Sequence, residues 1–146
     1  MTADPAARLN RLRTRAAERG FRMTPQREVL LRLLSQTRTH PTADELFRKV
    51  RRQLPSVSHA TVYRNLQELV RARLIATLER AGGPVQYDAN PDDHHHFVCT
   101  RCGRVTDIYL KDVGYVVDKK RSGIAPARID RAELQLHGLC AACAHA

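Results

Sequence analysis

The sequence predicts an α+β protein in two parts: a helical N-terminal part closed by a β-hairpin, and a small C-terminal part of short strands held by cysteines. Four stretches with apolar residues at helical spacing fill most of residues 6–73. Two alternating stretches around a Gly-Gly turn follow them. All four cysteines fall in two Cys-x-x-Cys pairs, Cys99/Cys102 and Cys140/Cys143. At 146 residues the chain can bury a core, yet it is short enough for two small domains.

Charge divides the chain in the same way. Of 25 Lys and Arg, 17 lie in residues 1–83 against 7 of the 15 Asp and Glu, so that part carries the whole net charge of +10. A basic half joined to a neutral half points to a polyanion partner for the first, most simply duplex DNA. No run of about 18 apolar residues exists, and the N-terminus lacks an apolar signal core, so neither a membrane span nor a secretory leader is expected. The expected location is the cytoplasm.

Residues 6–19 are good helix formers with Leu9, Leu12 and Ala16 on one side, ended by Gly20. Thr24 caps a second helix to about 36, with Pro25 at its first position and Val29, Leu30, Leu33 and Leu34 as its apolar stripe. Thr42 and Glu45 form a capping box opening a third helix, whose Leu46, Phe47 and Val50 face inward. Ser58 caps a fourth, over 58–73, with Val62, Leu66, Leu69 and Val70 buried. His59, Thr61, Tyr63, Arg64 and Asn65 then share its outward surface, the residue types a recognition helix uses on base edges. Residues 74–80 and 84–89, around Ala81-Gly82-Gly83, read as a hairpin directly after that helix, the wing of a winged helix. Arg80 and the turn are placed to approach phosphates. Three short strands are expected over 95–100, 104–110 and 132–138, with a helix or ragged helix over 111–123. The boundaries read from these patterns are a winged-helix domain over 1–85, a hinge over 86–93 and a metal-binding domain over 94–146.

Between Asp88 and Asp107 stand two thiols, three imidazoles and four carboxylates, a density that metal binding explains. The paired cysteines predict a closed, four-thiolate structural zinc site. In an extended segment His94 and His96 share one face and His95 the other. With Asp88 and Asp107 they make a harder donor set suited to Fe(II), Mn(II) or Zn(II). His95, His59 and His137 read as surface or packing residues, and Asp92 and Asp93 as loop residues.

The chain resembles the ferric uptake regulator (Fur) family of metal-responsive repressors from about Arg8 to Cys143. The resemblance rests on Arg22-Met-Thr-Pro-Gln-Arg27, His40-Pro-Thr-Ala-Asp-Glu45, Ser58-His-Ala-Thr-Val-Tyr-Arg-Asn-Leu66, His94-His-His-Phe-Val-Cys-Thr-Arg-Cys-Gly103 and Gly138-Leu-Cys-Ala-Ala-Cys143. It implies a homodimer joined through the C-terminal domain, bound to palindromic operators. It also adds His40 to the second site, giving His40, Asp88, His94, His96 and Asp107 as a regulatory Fe(II) or Mn(II) set. Aspartate at 88 and 107, where iron sensors of the family tend to carry Glu, resembles the peroxide-sensing members. In those, hydrogen peroxide reacts at the iron and a ligand histidine such as His40 or His94 is oxidised. A further metal site of many Fur proteins is expected to be absent, because Gly114 and Ala132 stand at its other positions.

The expected DNA contacts are Tyr63, Arg64, Asn65 and His59 to bases and Arg22, Thr61 and Arg80 to phosphates. Three other readings compete with the peroxide sensor. An iron-uptake repressor would keep its iron form active in peroxide. A small metal-dependent hydrolase would use the His/Asp set to activate water. A structural zinc-ribbon adaptor would ignore chelation of the second site.

Overall fold

A computed structural model describes residues 4–80, 82–112, 114, 116–123, 126 and 128–146. The chain forms two compact units, Met1–Asp92 and Asp93–Ala146.

The first unit is helical because its sequence supplies both stripes and caps. α1 (Pro5–Glu18) starts at Asp4, whose carboxylate accepts from Ala7 N–H, and buries Leu9, Leu12 and Ala16. α2 (Pro25–Gln36) is capped by Thr24. Its stripe differs from expectation at one position: Leu31 is fully buried and Leu33 only partly. Packing from both α1 and α3 covers a wider arc of this helix than a surface helix shows. α3 (Ala43–Gln53) opens on a complete capping box, Glu45 N–H to Thr42 Oγ1 at 3.3 Å and Thr42 N–H to Glu45 Oε2 at 2.8 Å. α4 (His59–Arg71) is capped by Ser58 and buries Val62, Asn65, Leu66 and Leu69. Leu12, Leu30, Leu34, Leu46, Leu66 and Leu69 form the centre of one core.

After α4, strands β1 (Ala76–Leu78) and β2 (Gln86–Asp88) pair antiparallel with Thr77 opposite Tyr87, a winged-helix hairpin shorter than the alternation suggested. Residues 86–88, read from sequence as hinge, are part of this sheet because Gln86 and Tyr87 pair on both sides. Tyr87 N–H donates to Pro41 C=O at 2.9 Å and Thr42 bridges to Gln86, which fastens the His40-Pro41-Thr42 loop along β2.

The second unit is a three-stranded sheet in the order β4-β3-β5. β3 (His95–Cys99) pairs antiparallel with β4 (Val105–Ile108) and parallel with β5 (Gln135–Gly138). Among the described residues of 111–123, where a helix was expected, only α5 (Lys119–Ser122) is helical, capped by Asp118 and ended by Gly123 at φ +68°. Tyr115 of that expectation lies outside the described residues. A short α6 (Ala141–Ala144), which the apolar pattern did not signal, follows Cys140.

Candidate metal centres and recognition helix

Cys99 ends β3 and Cys102 follows within a tight turn: Gly103, at φ +72°, returns its N–H to Cys99 C=O at 2.9 Å. Cys140 leads into α6, whose single turn carries Cys143 back toward the first pair. The four sulfurs lie within 4.8 Å of one another, with Cys102 and Cys140 Sγ 3.9 Å apart. Tetrahedral zinc with sulfurs at about 2.3 Å requires them about 3.8 Å apart, so this donor set fits zinc and leaves no position for substrate. The backbone N–H groups of Cys102 and then Cys140 point at Cys99 Sγ and hold its thiol down to about 5, a thiolate ready for a metal. Hydrogen bonding first with Cys140, and burial second, pushes Cys143 up to about 12. Arg101 Nη1 donates to Cys143 C=O at 2.6 Å and so ties the two knuckles together.

Histidine and carboxylate groups are gathered in each unit. In the first, the fastened loop brings His40 Nε2 to 4.0 Å from Asp88 Oδ1, both side chains nearly buried. Asp88 Oδ1 also accepts from Asn90 N–H at 2.8 Å, and Asp92 N–H donates to Asn90 Oδ1 at 3.1 Å. α1 grips this segment: Arg11 makes a two-pronged ion pair with Asp92, and Arg15 donates to Pro91 C=O at 2.8 Å.

In the second unit, the β3/β4 register sets His96 directly opposite Asp107. His96 Nε2 lies 3.6 Å, and His94 Nε2 3.8 Å, from Asp107 Oδ1, while the two Nε2 atoms are 3.1 Å apart. Three potential donor atoms thus converge from one side of the sheet. His95 points the other way, its Nδ1 accepting from Leu134 N–H at 3.2 Å. Sequence reasoning missed Glu133, whose Oε1 lies 3.5 Å from His96 Nδ1; nothing local marked it, because β5 is brought to β3 from almost 40 residues away.

On α4, Tyr63 and Arg64 are exposed and Thr61 is partly so, while Arg22 is exposed and Arg80 partly covered. Asn65 corrects the expectation of an outward side chain. It is 9% exposed, and its Oδ1 accepts from Arg27 Nε at 3.1 Å, a bond that ties α4 to α2. His59 is exposed but engaged: its Nε2 is 2.6 Å from Asp44 Oδ1, and its ring lies 5.0 Å from Phe47 and 4.7 Å from Tyr63. It braces Tyr63 from below.

A winged helix followed by a cysteine-stapled sheet, with histidine and carboxylate clusters in both units, is the build of a metal-binding DNA-associated protein. The sequence profile of the Ferric uptake regulator family matches residues 18–136, and the chain belongs to that family of metal-responsive transcriptional regulators. It is 28% identical over 124 residues to the peroxide-responsive repressor PerR of Staphylococcus aureus strain Mu50, covering 85% of this chain and 83% of the relative. The Campylobacter jejuni peroxide stress regulator shares 27% identity and superimposes with a TM-score of 0.65, over 92% of this chain and 98% of its own. The Vibrio cholerae ferric uptake regulator shares 27% at a TM-score of 0.62, over 86% and 96%.

Proposed function

We propose that the chain is a homodimeric, cytoplasmic repressor that binds palindromic duplex DNA when Fe(II) or Mn(II) occupies His40, Asp88, His94, His96 and Asp107, and that hydrogen peroxide releases it. Zn(II) at the four cysteines is structural. The observation that carries the reading is the pair of half-sets, buried His40 with Asp88 in one unit and His94, His96 and Asp107 in the other. A metal that draws on both halves fixes the orientation of the winged helix on each protomer, and so the spacing of the two recognition helices along successive major grooves. Tyr63 and Arg64 then read bases, His59 holds Tyr63 in place, and Arg22, Thr61 and Arg80 hold phosphates. The dimer covers exposed apolar side chains of the second unit, among them Tyr109, Ile129, Leu134, Leu136 and Leu139.

Aspartate at both 88 and 107, together with the likeness to two peroxide regulators, supports peroxide as the signal. Iron held by these residues would supply peroxide activation without net change in its own oxidation state; the peroxide would oxidise a ligand imidazole by two electrons, one oxygen entering the ring and the other leaving as water. Losing that ligand weakens the site and frees the DNA-binding units. The similar likeness to a ferric uptake regulator supports a second reading, in which iron supply itself is the signal. The four-thiolate site leaves no position for substrate, and among the described residues near the His/Asp set none stands out as a general base, which supports a regulator over a hydrolase.

Protein loaded separately with Fe(II) and Mn(II) is titrated onto an operator duplex before and after low hydrogen peroxide, and peptides containing His40 and His94 are weighed. Release of the iron form alone, with one oxygen added to either histidine, is expected. Persistent binding of both forms supports the iron-supply reading, and metal-independent binding removes both.

A further inference from the structure

We infer that Glu133 is a positioning residue for the regulatory metal, acting through His96; this rests on reading His94, His96 and Asp107 as ligands. The Nε2 atoms of both histidines turn toward Asp107, so Nε2 is the ligating atom and Nδ1 of His96 faces away from the metal. On that far side Glu133 Oε1 sits 3.5 Å from Nδ1. The His96 side chain is only 3% exposed, whereas Glu133 reaches it from the sheet edge and remains half in solvent. A buried imidazole that ligates through one nitrogen must direct the other N–H to an acceptor, and a carboxylate is the acceptor that most raises the basicity of the ligating nitrogen.

The backbone next to Glu133 is fixed at both sides of the ring it serves. His96 N–H donates to Leu134 C=O at 3.1 Å, and Leu134 N–H donates to His95 Nδ1 at 3.2 Å. Glu133, two residues before β5, is thereby held where its side chain meets His96. Its second oxygen lies 3.9 Å from Arg131 Nη2, which turns the carboxylate toward the ring and draws off part of its charge. The arrangement holds His96 in the tautomer with a free Nε2 lone pair, fixes the ring plane and strengthens its donation to the metal.

The test uses the full-length, zinc-loaded dimer, with Mn(II) affinity measured by competition and the visible spectrum of Co(II) in the same site as a geometric readout. Glu133→Ala is expected to weaken Mn(II) binding by about 10- to 100-fold and to shift the Co(II) bands, with the zinc content unchanged. Glu133→Gln, which keeps an acceptor but removes the charge, restores part of the affinity. His96→Ala is the control and abolishes binding at this site. Affinity within about twofold of the parent and unaltered Co(II) bands in both Glu133 variants, while His96→Ala is dead, overturns the role of Glu133 and leaves the ligand set standing. Full Mn(II) binding by His96→Ala removes the ligand reading and the inference together.

Discussion

Arg64 and Asn65 are adjacent on α4, and the turn of about 100° per residue along a helix decides which of them reaches solvent. Asn65 is turned inward to Arg27 and Arg64 outward, so truncating each has a different consequence. Arg64→Ala is expected to reduce specific duplex binding by about 1 to 3 kcal/mol with little change in melting temperature. Asn65→Ala leaves the Arg27 Nε–H without its acceptor, while Nη1 keeps Arg22 C=O, and lowers stability by about 1 to 3 kcal/mol. Thermal melts beside binding to specific and random duplexes separate the two, and an Asn65→Ala protein of unchanged stability would contradict the inward placement. Polar residues look alike in a sequence; the rotation that buries one of them comes from where α2 lies.

Elements end where their caps say they end. α1 stops because Gly20, at φ +62°, lets Phe21 N–H return to Ala16 C=O at 2.9 Å and Gly20 N–H return to Ala17 C=O at 3.0 Å. No atom lies within 4 Å of where a side chain would start, so the cost of Gly20→Ala comes from the left-handed backbone alone, about 1 kcal/mol of lost stability, read by chemical denaturation. α4 closes with the same geometry at Arg73, φ +55°, where Leu74 N–H returns to Leu69 C=O at 3.0 Å and Arg19 donates to the carbonyls of Ala72 and Arg73. Here a tertiary partner sustains a conformation that glycine normally supplies. The residue that opens α3 also bridges through its backbone to β2 beside His40, so the cap steadies the segment that carries that histidine. Thr42→Ala is expected to lose about 1 kcal/mol and to weaken Mn(II) binding as well, which isothermal titration would detect.

Across the whole molecule the apolar core belongs almost entirely to the first unit, from Leu9 to Ala89. In the second, Cys99 and Val105 are the buried hydrophobic residues among those described, and several large side chains face outward. A unit with so small a core is expected to depend on the zinc and, in the proposed dimer, on the partner surface to hold together. Stripping zinc from the cysteines with a strong chelator is therefore expected to melt the sheet and dissociate the dimer, while the helical signal of the first unit persists. Circular dichroism with sedimentation measures both; a dimer that survives zinc loss, or helices that unfold with the sheet, would contradict this division of stability.

Four helices, the caps Thr24, Thr42 and Ser58, the hairpin and the cysteine pairing could all be read from the chain by itself, because each is set within a few residues by side-chain periodicity, cap hydrogen bonds and ligand spacing; the Asp4 cap of α1 was not. The strand lengths, the shortness of α5 and the burial of Leu31 in place of Leu33 could not, since they depend on which neighbours cover a face. Still less could local pattern disclose Asn65 bonding Arg27, Tyr87 fastening Pro41 or Glu133 reaching His96. Those contacts join residues 37 to 46 positions apart, and only the packing of helices and the register of a parallel strand bring such residues within a few ångströms.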